Sequence, residues 1–91
     1  MGKLTCLRVV IQQIGRNEWR SFRLVAYGDE FKPRHADFTS AQNLRAAFLA
    51  AIPEFDLSLL SLNPQEEGHG SILFEEEICL DDDQVFKLGL S

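Results

Sequence analysis

The chain has 91 residues, 45% of them hydrophobic and 25% charged, with a formal net charge of −5. That length leaves room for one hydrophobic core, so residues 1–91 are expected to form a single compact domain, and wholesale disorder is excluded by the composition. No apolar run approaches the ~18 residues of a membrane helix.

Residues 3–13 alternate, with Thr5, Leu7, Val9 and Ile11 on one side and Cys6, Arg8, Val10 and Gln12 on the other. This is a strand pattern, rich in β-branched residues. Gly15-Arg16-Asn17 is turn chemistry, and residues 19–27 alternate again. A hairpin with Gly15–Glu18 as its loop pairs Ile11–Phe22, Val9–Leu24 and Leu7–Ala26 on an apolar face. The same register places Ile14–Trp19, Val10–Arg23, Arg8–Val25 and Cys6–Tyr27 on the other face.

Gly28 to Phe38 lacks periodicity and reads as a loop. Thr39 and Gln42 form a capping-box pattern for a helix running to about Ile52, with Leu44, Phe48, Ala51 and Ile52 as its core stripe. Pro53 ends it. Residues 57–62 fit a strand or a helical turn, and a strand is the weak preference. Residues 63–71 read as a loop. Residues 72–80 have strand character, with Ile72, Phe74, Ile78 and Leu80 sharing one parity. Glu76 falls on that parity, so either a bulge or turn splits the run at Glu75–Glu77, or its centre lies at a sheet edge. Asp81 to Leu90 reads as a short helix, acids at its start, Gly89 as its left-handed C′ residue and Leu90 as the apolar C″ contact.

The fold class is therefore α+β: a β-hairpin, a helix, one or two further strands and a short C-terminal helix. They are expected to form a small mixed or antiparallel sheet with the long helix on one face. Strand, strand, helix, strand also begins a β-grasp. Ile72-Leu73-Phe74 followed by Leu80 and an acidic turn resembles the latter half of ubiquitin-like domains, although without a Gly-Gly tail no conjugation chemistry is implied.

Charge is unevenly spread. Residues 1–53 carry eight basic and four acidic groups, whereas residues 54–91 carry ten acidic groups and Lys87. The halves can neutralise each other locally, or the molecule can dock through opposite charges. His35 and His69 lie in loop sequence without metal spacing, and the acids lack calcium-loop spacing, so no cofactor or metal is expected. Cys6 and Cys79 fall on the parity opposite to the core. They read as inert thiols in a reducing cytoplasm, with a disulfide between their strands as the alternative. Arginines beside Trp19 and Tyr27 raise nucleic-acid binding, which the net negative charge and missing motifs disfavour.

The informative feature is the outer face of the hairpin, where Arg8, Val10, Ile14, Trp19, Arg23, Val25 and Tyr27 give a half-apolar surface with aromatic and arginine character. The chain is thus expected to be a non-enzymatic interaction module in the cytoplasm, such as an adaptor, accessory subunit or inhibitor, binding a protein partner or its own copies. The alternative is a small subunit whose pocket is completed by a partner. Later segments folding over this face would remove the surface.

Overall fold

A computed structural model describes residues 4–15, 20–60, 62 and 70–90. Strands β1 (Thr5–Ile14), β2 (Ser21–Gly28), β3 (Phe31–Phe38) and β4 (Ile72–Leu80) form one sheet in the order β3-β2-β1-β4, with every neighbouring pair antiparallel. Helix α1 (Ala41–Ala51) follows β3, and α2 (Asp82–Lys87) follows β4. The molecule is an α+β domain, its longer helix being 11 residues.

Alternation along β1 and β2 places Leu7, Val9, Ile11, Phe22, Leu24 and Ala26 on one face, all buried. Against them pack Leu44, Phe48 and Ala51 of α1, Leu60 and Leu62, and Val85, Leu88 and Leu90 from the end of the chain. The rings of Phe48, Phe55 and Phe74 cluster at centroid distances of 4.9–6.4 Å. Apolar side chains are thus gathered on one side of a single sheet, and both helices contribute to covering it.

The hairpin register differs from the sequence expectation by two residues: Ile11 pairs with Leu24, Val9 with Ala26 and Gln13 with Phe22. β1 ends at Ile14 and β2 begins only at Ser21, so the connection is longer than the four-residue loop expected. A shift of two preserves every side chain's face while changing every partner. Gln13 consequently sits in the core layer, 1% exposed, where its side-chain nitrogen donates to the Gly15 carbonyl at 3.2 Å.

Residues 31–38 are a strand and not part of a loop. A register shift between Ala26 and Gly28 breaks the alternation, so Phe31 is partly buried from an odd position and Ala36 and Phe38 from even ones. Pro33 is tolerable because β3 is an edge strand. This third strand precedes α1, so the strand–strand–helix order of a β-grasp is not kept.

At α1 the cap is Ser40, one residue later than Thr39; its hydroxyl accepts from the Asn43 N–H at 3.1 Å. Residues 57–59 form a 3₁₀ turn instead of a strand. Asp56 decides this, its carboxylate accepting from the Ser58 N–H and hydroxyl at 3.0 and 2.6 Å, an arrangement that holds its pKa below the usual aspartate range. β4 is continuous and lies at the other sheet edge, which lets Glu75, Glu76 and Glu77 all remain exposed. The irregularity falls opposite Ile11 and Gln12, so Ile72 is turned outward and 52% exposed.

α2 ends as the sequence predicts. The Gly89 N–H donates to the Phe86 carbonyl at 2.9 Å and the Leu90 N–H to the Val85 carbonyl at 3.4 Å, the two bonds of a Schellman motif. Gly89 has φ of +77° and Leu90 is buried. At its start Asp81 and Gln84 form a reciprocal capping box. A Cβ at position 89 meets nothing closer than Ala36 at 3.8 Å, so the cost of Gly89→Val is conformational rather than steric crowding. Urea unfolding of Gly89→Val should show a loss of about 1–2 kcal/mol. A midpoint equal to that of the parent would contradict this capping role.

Candidate functional site

The even-numbered residues of β1 and odd-numbered residues of β2 point away from the helices, and the observed register arranges them in rows across the sheet. One row is Asp37–Arg23–Gln12, the next His35–Val25–Val10–Glu75, the next Tyr27–Arg8–Glu77, and the last Cys6–Cys79. Ile14, paired with Ser21, is half-buried at one end. The sheet thus brings Arg8, Val10, Ile14, Arg23, Val25 and Tyr27 onto one surface. Trp19 lies outside the described residues.

At the centre are Val10 and Val25, directly paired across the strands. Val10 is only 8% exposed yet is no part of the main core, and Tyr27 beside it is 40% exposed. Ion pairs flank this centre. The Arg23 Nε donates to Asp37 Oδ1 at 2.8 Å and its Nη2 to Oδ2 at 3.3 Å, a two-point clamp that holds the Asp37 carboxyl below the usual aspartate range. Arg8 lies 3.5 Å from Glu75. Both arginines therefore have partners within the sheet. Among the described residues, α1, α2 and the 3₁₀ turn are all engaged with the opposite, apolar face, and none covers this one.

The charge asymmetry of the sequence becomes a spatial one. β3, at one sheet edge, bears Lys32, Arg34 and His35 against Asp37; β4, at the other, bears Glu75, Glu76 and Glu77 and no cation. Of the described ion pairs, Arg8–Glu75 joins the basic and acidic parts of the chain. Pro33 on one edge and three consecutive carboxylates on the other are features that discourage uncontrolled strand addition.

Two further features escaped the sequence reading. An open groove of about 410 Å³ runs beside β3, lined by His35, Asp37, Ala47, Lys87 and Gly89 among others. It joins residues of β3, one residue of α1 and the end of α2, which no local pattern reveals. Phe86 of α2 is 81% exposed, as helical spacing from its buried neighbours Val85 and Leu88 could have indicated. Cys6 and Cys79 are joined in a disulfide, the alternative reading of the sequence, in place of the inert thiols preferred, and both are exposed as their parity predicts.

The main-chain pattern explains why these two cysteines meet. The Gln13 N–H donates to the Ser71 carbonyl at 2.8 Å and the Gln13 carbonyl accepts from the Gly70 N–H at 2.7 Å. Odd-numbered residues of β1 therefore direct their main-chain groups at the β4 side, and even-numbered ones at β2. Cys6 and Cys79 are then a pair without mutual main-chain hydrogen bonds, the position in an antiparallel ladder where facing side chains come closest.

Compared with models of known protein families, with curated proteins and with solved structures, the chain matches none. No helix among the described residues is long and apolar enough to cross a membrane.

Proposed function

We propose that this chain is a non-enzymatic protein–protein interaction module, an adaptor, accessory subunit or inhibitor, that docks through the uncovered face of its sheet. The observation that carries this reading is the Val10–Val25 centre beside exposed Tyr27, with no described element packed over it. Apolar contact at the middle with paired charges around it is the layout of a small recognition patch. Nucleic acid is not the partner in this reading, because both described arginines of the face are already matched by carboxylates. The setting is the cytoplasm, where a disulfide is a transient state rather than a permanent staple.

The test compares what the parent protein and the Val25→Arg variant retain from a lysate, with circular dichroism verifying that both are folded. Light scattering over a concentration series reports whether the partner is a second copy. Proteins held by the parent and lost by the folded variant support docking here; identical retention by both contradicts it. A second reading, a ligand pocket completed by a partner, is favoured by the groove at His35, Asp37 and Lys87, which needs another molecule to close it.

A further inference from the structure

We infer that the Cys6–Cys79 disulfide is a reversible redox clasp, reduced by a dithiol in the folded protein, whose opening releases the middle of β4 without unfolding the domain. The inference stands apart from what the uncovered face binds.

Access comes first. Both cysteines are exposed on the uncovered face, and Cys6 lines a surface cleft of about 290 Å³ with Arg8, Tyr27, Gly28, Asp29 and Glu77. A small dithiol can reach the sulfurs without any strand separating. The exchange balances simply. One thiolate of the dithiol attacks a cysteine sulfur, and the other cysteine sulfur leaves and takes a proton. The second thiol of the reductant then displaces the first cysteine from the mixed disulfide. The bond between Cys6 and Cys79 is broken, one forms within the reductant, and two electrons and two protons have passed to the cysteines.

The consequence follows from where the bond sits. β4 is an edge strand, hydrogen-bonded only to β1 among the described strands. Its buried anchors in the core are Phe74 and Leu80, with Ile78 partly buried against it. Between them stand Glu75, Glu76 and Glu77, three adjacent carboxylates, with Arg8 against Glu75 as the described ion pair. Side-chain burial thus contributes least in the stretch that carries the most like charge, and the disulfide is its covalent tie to β1. The cross-link spans 73 residues, so cutting it also relaxes a large loop. β2 and α1 contribute Phe22, Leu24, Leu44 and Phe48 to the core independently of it, and should hold.

The test treats the full oxidised chain with dithiothreitol without denaturant, counts thiols by alkylation and mass, and follows amide hydrogen exchange by segment. The expected result is two alkylated thiols per chain and exchange at least tenfold faster over residues 75–79 than in the oxidised protein, with residues 22–26 and 44–48 remaining the slowest to exchange. Reoxidation should restore the original rates, and the Cys6→Ser/Cys79→Ser double variant should exchange like the reduced protein. Thiols that appear only in denaturant would overturn the inference, as would unchanged exchange at 75–79 after reduction. So would residues 75–79 exchanging no faster than residues 22–26 and 44–48 after reduction, because β4 would then open only with the whole domain.

Discussion

Val9→Asp and Leu24→Asp should each unfold the domain, as read by loss of the cooperative urea transition. Val9 is 1% exposed and Leu24 fully buried, both in the core cluster, with no cation of the core to receive a carboxylate. Burying an unpaired charge, added to the loss of a packed aliphatic side chain, costs about 4 kcal/mol or more. A domain of this size has only about 5–10 kcal/mol in reserve. Val10→Asp distinguishes face from burial. Val10 is also buried, yet it lies outside the core cluster, on the face that no described helix covers, so a carboxylate there need only turn out to solvent opposite Glu75. That variant should remain folded. Equal loss from all three would contradict the assignment of faces.

The second large effect belongs to the cross-link. Under oxidising conditions, Cys6→Ser/Cys79→Ser should lower the unfolding free energy by about 2–4 kcal/mol, since the unfolded chain is much freer once a cross-link spanning 73 residues no longer constrains it. The variant should still unfold cooperatively, because neither cysteine side chain belongs to the core. Adding a reductant should lower the parent's midpoint and leave that of the variant unchanged. A parent indifferent to reductant would mean that the bond does not form in solution.

What could be read from the sequence was side-chain parity. Leu7, Val9, Ile11, Phe22, Leu24 and Ala26 share a face because strand geometry alternates whatever the register. The C-terminal helix was equally legible, since Asp81 at its start and Gly89-Leu90 at its end are local signals with local causes. The register was not legible, because it depends on a connection whose length the residues around Gly15 do not specify. β3 was hidden by its own irregularity: the shift near Ala26 and Gly28 moves its inward residues from odd to even, and Pro33 imitates a loop. The stretch 57–62 was decided by one carboxylate, Asp56, which turns the chain before Leu60 and Leu62 enter the core.

The candidate face shows the same division. Its members came from parity, and the sheet assembles Arg8, Val10, Ile14, Arg23, Val25 and Tyr27 as parity requires. Its electrostatics did not, because Glu75 and Asp37 reach Arg8 and Arg23 from strands far along the chain. The disulfide was legible only as the alternative to free thiols. It needs the register of β1 against β4, which no contiguous stretch encodes.

The most direct measurement of the central claim is the affinity of the retained partner, or of a second copy, for Trp19→Ala and Tyr27→Ala, with urea midpoints determined in parallel. Truncating an aromatic anchor at a recognition patch removes about 2 kcal/mol or more, roughly a 30-fold weakening. The account predicts such a loss for each variant by titration calorimetry, with the midpoint of Tyr27→Ala close to the parent's because Tyr27 lies outside the core. Undiminished affinity in both variants, or a Trp19→Ala chain that loses its fold instead of its partner, would contradict it.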